Sequence, residues 1–242
     1  MDLIKANIEN LTSLWNVGGA ASGNLIATEE YSVSVVSDSE WPNKLWFHKN
    51  PERNELKSVL DQWKANDITI PIWEPIDHEQ EVILRSYDFE LKNELTGMSI
   101  CLDRIAKANN DLRLIKVNDS KTAVVWSELF QEAFGYLIHP KTIALTMDKI
   151  DYFIGKSEGE NIGTAVLFQR DEQVVGIHSM GVVPAHRRKG HANNLLINVL
   201  SLAQAKGAKY ATLQASSMGK GLYLKTGFSE DFQLKNFKKL IK

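Results

Sequence analysis

Apolar and polar positions in the second half of the chain change period in a way that spells out a succession of elements. Asn118, Asp119 and Ser120 offer a helix cap, and Val125, Leu129 and Ala133 then keep helical spacing to about Phe134. His139-Pro140 opens a second helix, to about Ile150. Residues 112–117, 152–156, 162–169 and 173–183 read as strands, with polar turns at 157–160 and 170–172. A long helix over residues 189–206 follows. Its Ala192, Leu195, Leu196, Val199, Leu200 and Ala203 form one stripe, and Gly207 is placed to end it. Residues 210–214 then read as a strand, 219–225 as a short helix and 228–240 as a final strand. The pattern predicts an α/β (α+β) fold, a mixed and mostly antiparallel sheet flanked by helices.

Composition adds a boundary. The polar stretch at residues 107–111 precedes the first of these strands, and five of six tryptophans and four of six prolines lie before it. Two domains are expected, residues 1–106 and 111–242. Charge divides the same way: residues 1–110 carry 10 Lys+Arg against 18 Asp+Glu, residues 111–242 carry 18 against 12. A basic half suits an anionic ligand, and a simple drift of surface charge between domains is the other reading. No long Lys/Arg block is present, which argues against nucleic acid.

The single cysteine, Cys101, excludes an intramolecular disulfide and sits in an apolar run, so a buried small hydrophobe is expected. The six histidines show no metal-ligand spacing, so no metal is expected. Neither a signal-peptide stretch nor an apolar run of membrane-spanning length is found, which makes a cytoplasmic protein with no membrane partner the expectation.

One segment carries chemistry. After the strand ending near Val182, Val183 and Pro184, residues Arg187, Arg188, Lys189, Gly190, His191 and Ala192 lead into the long helix. A helix start offers free N–H groups and a positive dipole end, Gly190 permits close approach, and the cations add charge. Those features suit a pyrophosphate. The spacing is neither that of a P-loop nor G-x-G-x-x-G.

The arrangement resembles the GNAT superfamily of acyl-CoA N-acyltransferases, whose signature is Arg/Gln-x-x-Gly-x-Gly/Ala after a strand ending near Val-x-Pro. Arg187, Gly190 and Ala192 fill the motif, with Val182 and Pro184 in register. A second match follows, where Leu222-Tyr223-Leu224-Lys225-Thr226-Gly227-Phe228 is similar to the family's later L-Y and K-x-G-F segment. The resemblance covers about residues 112–242. It implies that acetyl-CoA, as co-substrate, lies where the fourth and fifth strands of the domain splay apart. Backbone groups around Gly181, Val182 and Val183 would then bond the pantetheine arm, and the Arg188–Ala192 amides the pyrophosphate. Arg187 has two readings, phosphate contact or packing back on the loop. Ser216, where many relatives carry an Asn that bonds CoA, has two as well, contact with CoA or a helix cap.

For catalysis the resemblance places Tyr223 near the thioester sulfur, as the acid that assists the departing thiolate; a packed core tyrosine is the other reading. Many relatives carry a carboxylate on the fourth strand, and this chain has none between Gly176 and Ser179. His178 is the titratable substitute there, with a structural strand histidine, removal through water or a residue from the first half as alternatives. The acceptor implied is a primary amine of a small molecule or peptide, attacking directly in a ternary complex of a monomer or homodimer. A non-catalytic acyl-CoA-binding or regulatory module is the alternative function.

The first half lacks the pyrophosphate motif. Even so, residues 84–92 faintly resemble residues 223–231: aligning Phe89 with Phe228 sets Leu84 opposite Tyr223 and Asp88 opposite Gly227. A degenerate second GNAT-like domain, without cofactor or acid, is therefore expected, giving a tandem. Its tryptophans either help line an acceptor pocket or are core aromatics, and residues 135–141 are the other expected acceptor wall.

Overall fold

The computed structural model describes residues 1–75, 78–105, 108 and 111–239. The first half runs α1 (Leu3–Ala21), β1 (Leu25–Ala27), β2 (Tyr31–Ser34), β3 (Lys44–Phe47), α2 (Arg53–Trp63), β4 (Thr69–Trp73), α3 (His78–Ser86) and β5 (Phe89–Cys101). The second runs β6 (Arg113–Lys116), α4 (Ser120–Phe134), α5 (Pro140–Thr146), β7 (Asp151–Ser157), β8 (Glu160–Gln169) and β9 (Val174–Val182). It continues through α6 (His191–Ala205), β10 (Tyr210–Ala215), α7 (Ser217–Thr226) and β11 (Ser229–Lys239). From β1 and from β7 onward the order is the same: three strands, a helix, a strand, a helix, a strand. The fold is a tandem built on one plan.

All eleven strands join one sheet, ordered β1-β2-β3-β4-β11-β5-β10-β9-β8-β7-β6. Pairing is antiparallel except at β3–β4 and β9–β10. The two long last strands are exchanged. β11 of the second half lies between β4 and β5 of the first, and β5 lies between β11 and β10. Each half therefore completes the other's sheet.

Helices cover both faces. Leu195, Leu196, Val199 and Leu200 of α6 and Tyr223 of α7 pack with Val175, Ile177, Ala211 and Leu213, while Leu56, Leu60 and Leu84 of α2 and α3 fill the equivalent space under β3 and β4. On the other face Trp126 and Phe130 of α4 meet Tyr152 and Val166. There α1 crosses the middle of the sheet with Leu11 and Trp15 on Trp46 and Leu234. Burying such apolar faces on a common sheet is the main stabilising term.

The faint resemblance between the halves has a backbone counterpart. Asp88 and Gly227 both take left-handed φ, 65° and 104°, where α3 and α7 hand over to β5 and β11. Opposite Tyr223 stands fully buried Leu84, so the first half has no hydroxyl at that place.

Several details differ from the sequence expectation. Cys101 is exposed at the last position of β5, although Leu102 after it is fully buried. α5 stops at Thr146, whose hydroxyl meets the Tyr152 hydroxyl at 2.8 Å. α6 begins at His191, since Gly190 caps it at φ 83°. Ala106, Lys107, Asn109 and Asn110 of the expected domain boundary, and Leu240 to Lys242 at the end, lie outside the described residues.

Candidate functional site

β9 and β10 pair in parallel at Val174–Tyr210, Val175–Ala211 and Gly176–Thr212, and there the ladder stops. β9 continues to Val182 and β10 to Ala215 with nothing between them in the sheet. Such a split leaves backbone groups able to bond an extended ligand. A bulge in β9 contributes to it: Val166 of β8 opposes His178 while Thr164 opposes Gly181, one residue more on β9 than on β8. Ser179 in the bulge takes a left-handed φ of 49°, and its carbonyl accepts from Thr164 Oγ1 at 2.9 Å. Bulges re-aim side chains, and strained backbone gathers at functional sites.

Beyond the split, a single turn at Pro184–His186 leads into the loop. Arg188 and Gly190 both have left-handed φ, 61° and 83°. Among the described residues the amides of Arg188, Lys189, Gly190, His191 and Ala192 donate to no acceptor. Consecutive free amides at the positive end of a fifteen-residue helix are suited to an anion. The Arg188 and Lys189 side chains are exposed beside it. His191 adds a buried Nδ1 with no partner, and its ring packs on His186 at 5.9 Å.

Arg187 points elsewhere. Its Nε donates to Val182 O at 3.0 Å and its Nη2 to Ala133 O at 2.9 Å. The guanidinium ties the loop to the negative end of α4, where a cation is favoured, and this geometry supports the packing reading of that residue. Gly181 has a steric reason: a Cβ there would stand 2.7 Å from the Phe134 ring. Val183 donates its amide to Ile162 O at 3.0 Å, fixing the strand end. Ser216 is the cap of α7, accepting from Gly219 N at 3.3 Å, which supports the capping reading.

Tyr223 sits on α7, 8% exposed and edge-on to Phe228 at 5.6 Å. Burial pushes its hydroxyl up to about 12, so it holds its proton at neutral pH and can donate it. On the opposite face, His178 is buried with Nε2 2.9 Å from Asn10 Oδ1. Since Asn10 Nδ2 donates to Phe168 O at 2.9 Å, Oδ1 is the acceptor and His178 Nε2 carries the hydrogen. Burial drives the imidazole down to about 4, against a smaller opposing effect of Gln214. It is neutral at pH 7 and a weak base.

Sequence reasoning missed the partner that makes this arrangement, α1. Asn7 and Asn10, both buried, reach from it across the apex of the split. Asn7 Nδ2 donates to Met98 O and Leu213 O at 3.2 Å, and Gln214 Nε2 donates to Asn7 Oδ1 at 2.5 Å. Gly176 is bare because a Cβ would collide with Asn10 Oδ1. The available signal was weak: two asparagines three apart on a helix whose other buried positions are Leu11, Leu14, Trp15 and two glycines. Trp41 was missed as an individual. It shares a small cavity with Leu14, Ile138 and Ser179, whereas Trp15 and Trp46 are core aromatics.

The parts are a split strand pair, a run of free amides beyond the end of β9 and a buried, protonated tyrosine on α7. Residues 120–228 match the model of the acetyltransferase (GNAT) family. Among solved structures, a GCN5-related N-acetyltransferase from Kribbella flavida is similar over 96% of both chains, with TM-score 0.70 and 10% identity. Another, from Sphaerobacter thermophilus, shares 87% of this chain and 76% of its own at TM-score 0.61 and 15% identity. A tandem GNAT protein from the clavulanic acid biosynthesis pathway aligns over 86% of this chain and 77% of its own, at TM-score 0.54 and 11% identity. At such identities these likenesses establish the fold. No curated protein matches the sequence.

Proposed function

Starting from the match of residues 120–228 to the GNAT family, we propose that the chain is an acyl-CoA-dependent N-acetyltransferase. It moves the acetyl group of acetyl-CoA to a primary amine of a small molecule or peptide, in a ternary complex. The observation that carries this reading is the run of free amides from Arg188 to Ala192 beyond the open end of the β9–β10 split. Those five amides with Arg188 and Lys189 fit a pyrophosphate in number, charge and position. The β10-facing edge of β9 through Gly181 and Val182, unpaired on that side, fits an extended arm. Acetyl-CoA supplies an acetyl group activated as a thioester, which the amine attacks directly.

The chain's own part is to position and to protonate. Holding two reactants in one site lowers the barrier by removing translational freedom. As the C–N bond forms and the C–S bond breaks, Tyr223, kept protonated by burial, donates to the departing sulfur, and the proton lost by the attacking nitrogen passes through water and restores the tyrosine hydroxyl. His178 is tied to Asn10 and is too weak a base to take the amine's proton, so it acts as a positioning residue at the apex. In this scheme residues 111–242 are the catalytic half, and residues 1–106 supply α1, β5 and part of the acceptor wall. A cytoplasmic setting suits an acetyl-CoA user, and among the described residues no helix is long and apolar enough to cross a membrane.

The deciding experiment is release of free CoA thiol from acetyl-CoA against a panel of primary amines and peptide N-termini. Turnover with any member supports the reading. Saturable acetyl-CoA binding with no thiol release across the panel favours a non-catalytic acyl-CoA-binding module instead, for which the missing strand carboxylate speaks.

A further inference from the structure

A second cavity, of about 180 Å3, lies on the α1 face of the sheet. Three lysines frame it: Lys44 at the start of β3, Lys92 in β5 and Lys238 in β11. Lys92 is there because of a bulge. Asn236 opposes Asn93 and Phe237 opposes Leu91, which leaves Lys92 as the extra residue.

Two carboxylates share the lining, and both are engaged. Asp67 pairs with Lys238 at 3.3 Å, and Glu40 Oε2 accepts from Leu137 N at 2.7 Å. Lys44 and Lys92 instead lie over rings, Trp15 at 5.0 Å and Tyr136 at 5.9 Å, with no carboxylate partner among the described residues. Lys238 and Asp67 offset each other, so Lys92 and a partly protonated Lys44 face the Glu40 carboxylate, which leaves a small excess of positive charge in the cavity. Burial lowers Lys44 to about 7, with smaller contributions from Lys92 and Lys238. Lys92 is lowered as well, by burial and then Lys238.

The cavity also lies where an acceptor would reach. Ala215, the last residue of β10, pairs with Thr96, and the cavity residues Leu95 and Asn93 continue β5 past that point, on the open side of the split. Trp41 lines both this cavity and the small one beside Ser179. A void of about 150 Å3 holds a benzene-sized molecule, so this one accommodates a group of about that size.

We propose that the cavity framed by Lys44, Lys92 and Lys238 takes an oxyanionic group of the acceptor, a carboxylate or a phosphate. The acceptor is then an amine that also carries negative charge. Its identification as an acceptor site rests on the acyltransferase reading; the anion site itself rests on the lysine geometry alone.

Calorimetric titration of the free protein with succinate and, separately, with inorganic phosphate reads the anion site without turnover. Saturable binding of at least one is expected, weakened about tenfold or more in Lys92→Gln and in Lys44→Met. The tighter ligand names the source of the oxyanion. Lys92 is exposed and Lys44→Met keeps an apolar stem on Trp15, so both variants retain the fold. Affinity should fall as pH rises through 7, as Lys44 loses its proton. The charged groups facing it are Lys92, Lys238, Glu40 and Asp67, and burial holds the nearby Tyr136 hydroxyl well above its ordinary range. In turnover, an amine bearing an acidic group should have a lower KM than its uncharged analogue, and Lys92→Gln should raise only the former.

Failure of the wild type to bind either anion, or binding unchanged in both variants, overturns the site. Equal KM for charged and uncharged amines overturns its place in the acceptor pocket. Anion binding by a protein that acetylates nothing overturns the enzyme reading and leaves the anion site standing.

Discussion

Tyr223 and His178 are both buried, and burial moves them in opposite directions for catalysis. A phenol raised to about 12 stays a proton donor at neutral pH, whereas an imidazole lowered to about 4 stops being a useful base. Tyr223→Phe should therefore lower kcat by about tenfold to a hundredfold while leaving the acetyl-CoA KM within about twofold. Equal kcat in steady-state assays removes the tyrosine from the mechanism. His178 has a stability consequence instead. Unfolded, it binds a proton near pH 6.5, and folded not until about pH 4, so the unfolded state holds more protons between. Stability present above pH 6.5 is lost as pH falls, by about 2 kcal/mol at pH 5. Urea unfolding at pH 7 and pH 5 should show that loss, and His178→Gln should reduce it. An equal loss in the variant would mean that other groups carry it.

At the level of elements, the loop from β9 to α6 owes its form to two left-handed residues, Arg188 and Gly190, which turn successive amides toward one side. Arg187 spends its side chain holding that loop to α4, so the cations left for a ligand are Arg188 and Lys189. Arg188→Glu combined with Lys189→Glu should raise the CoA dissociation constant by at least about tenfold, less so at high salt. Equilibrium binding checks it, and unchanged affinity refutes the cradle. The motif was legible in sequence because its parts lie within six residues. α1 was not: Asn7 meets Leu213 and Gln214 across more than two hundred residues, and no local period encodes such a contact.

For the molecule as a whole, the exchanged strands explain the division of charge. β11 belongs to the basic half by sequence yet lies in the acidic one. There Lys235 meets Glu81 at 2.6 Å and Glu94 at 3.8 Å, and Lys238 meets Asp67 at 3.3 Å. The asymmetry seen along the chain is partly complementarity between halves. Among the described residues β11 pairs with β4 and β5, both from the first half. Residues 111–242 alone should thus lack partners for β11 and expose the edge of β10, giving aggregation in place of a cooperative monomer. Size-exclusion chromatography and thermal circular dichroism check this, and a cooperative melt of a monomeric half would contradict it.

The sequence by itself determined the order of elements in the second half, the amide cradle with its cations, Tyr223, and the shared plan hinted at by Asp88 and Gly227. Each of these is local, expressed as periodicity, a cap or a short motif, and local backbone preference is enough to specify it. Only the tertiary structure decided that β5 and β11 change places, that α1 ties His178 into a neutral network, and that three lysines far apart in sequence surround one cavity. These depend on which faces meet when the apolar sides of the sheet are buried, and the same alternation of residues is compatible with many pairings until that packing selects one. The loop between Val183 and Ala192 stands on both sides of that line: its residues suggested a phosphate site, and the fold alone showed that Arg187 is bonded to Val182 and Ala133 while the amides of Arg188 to Ala192 have no acceptor among the described residues.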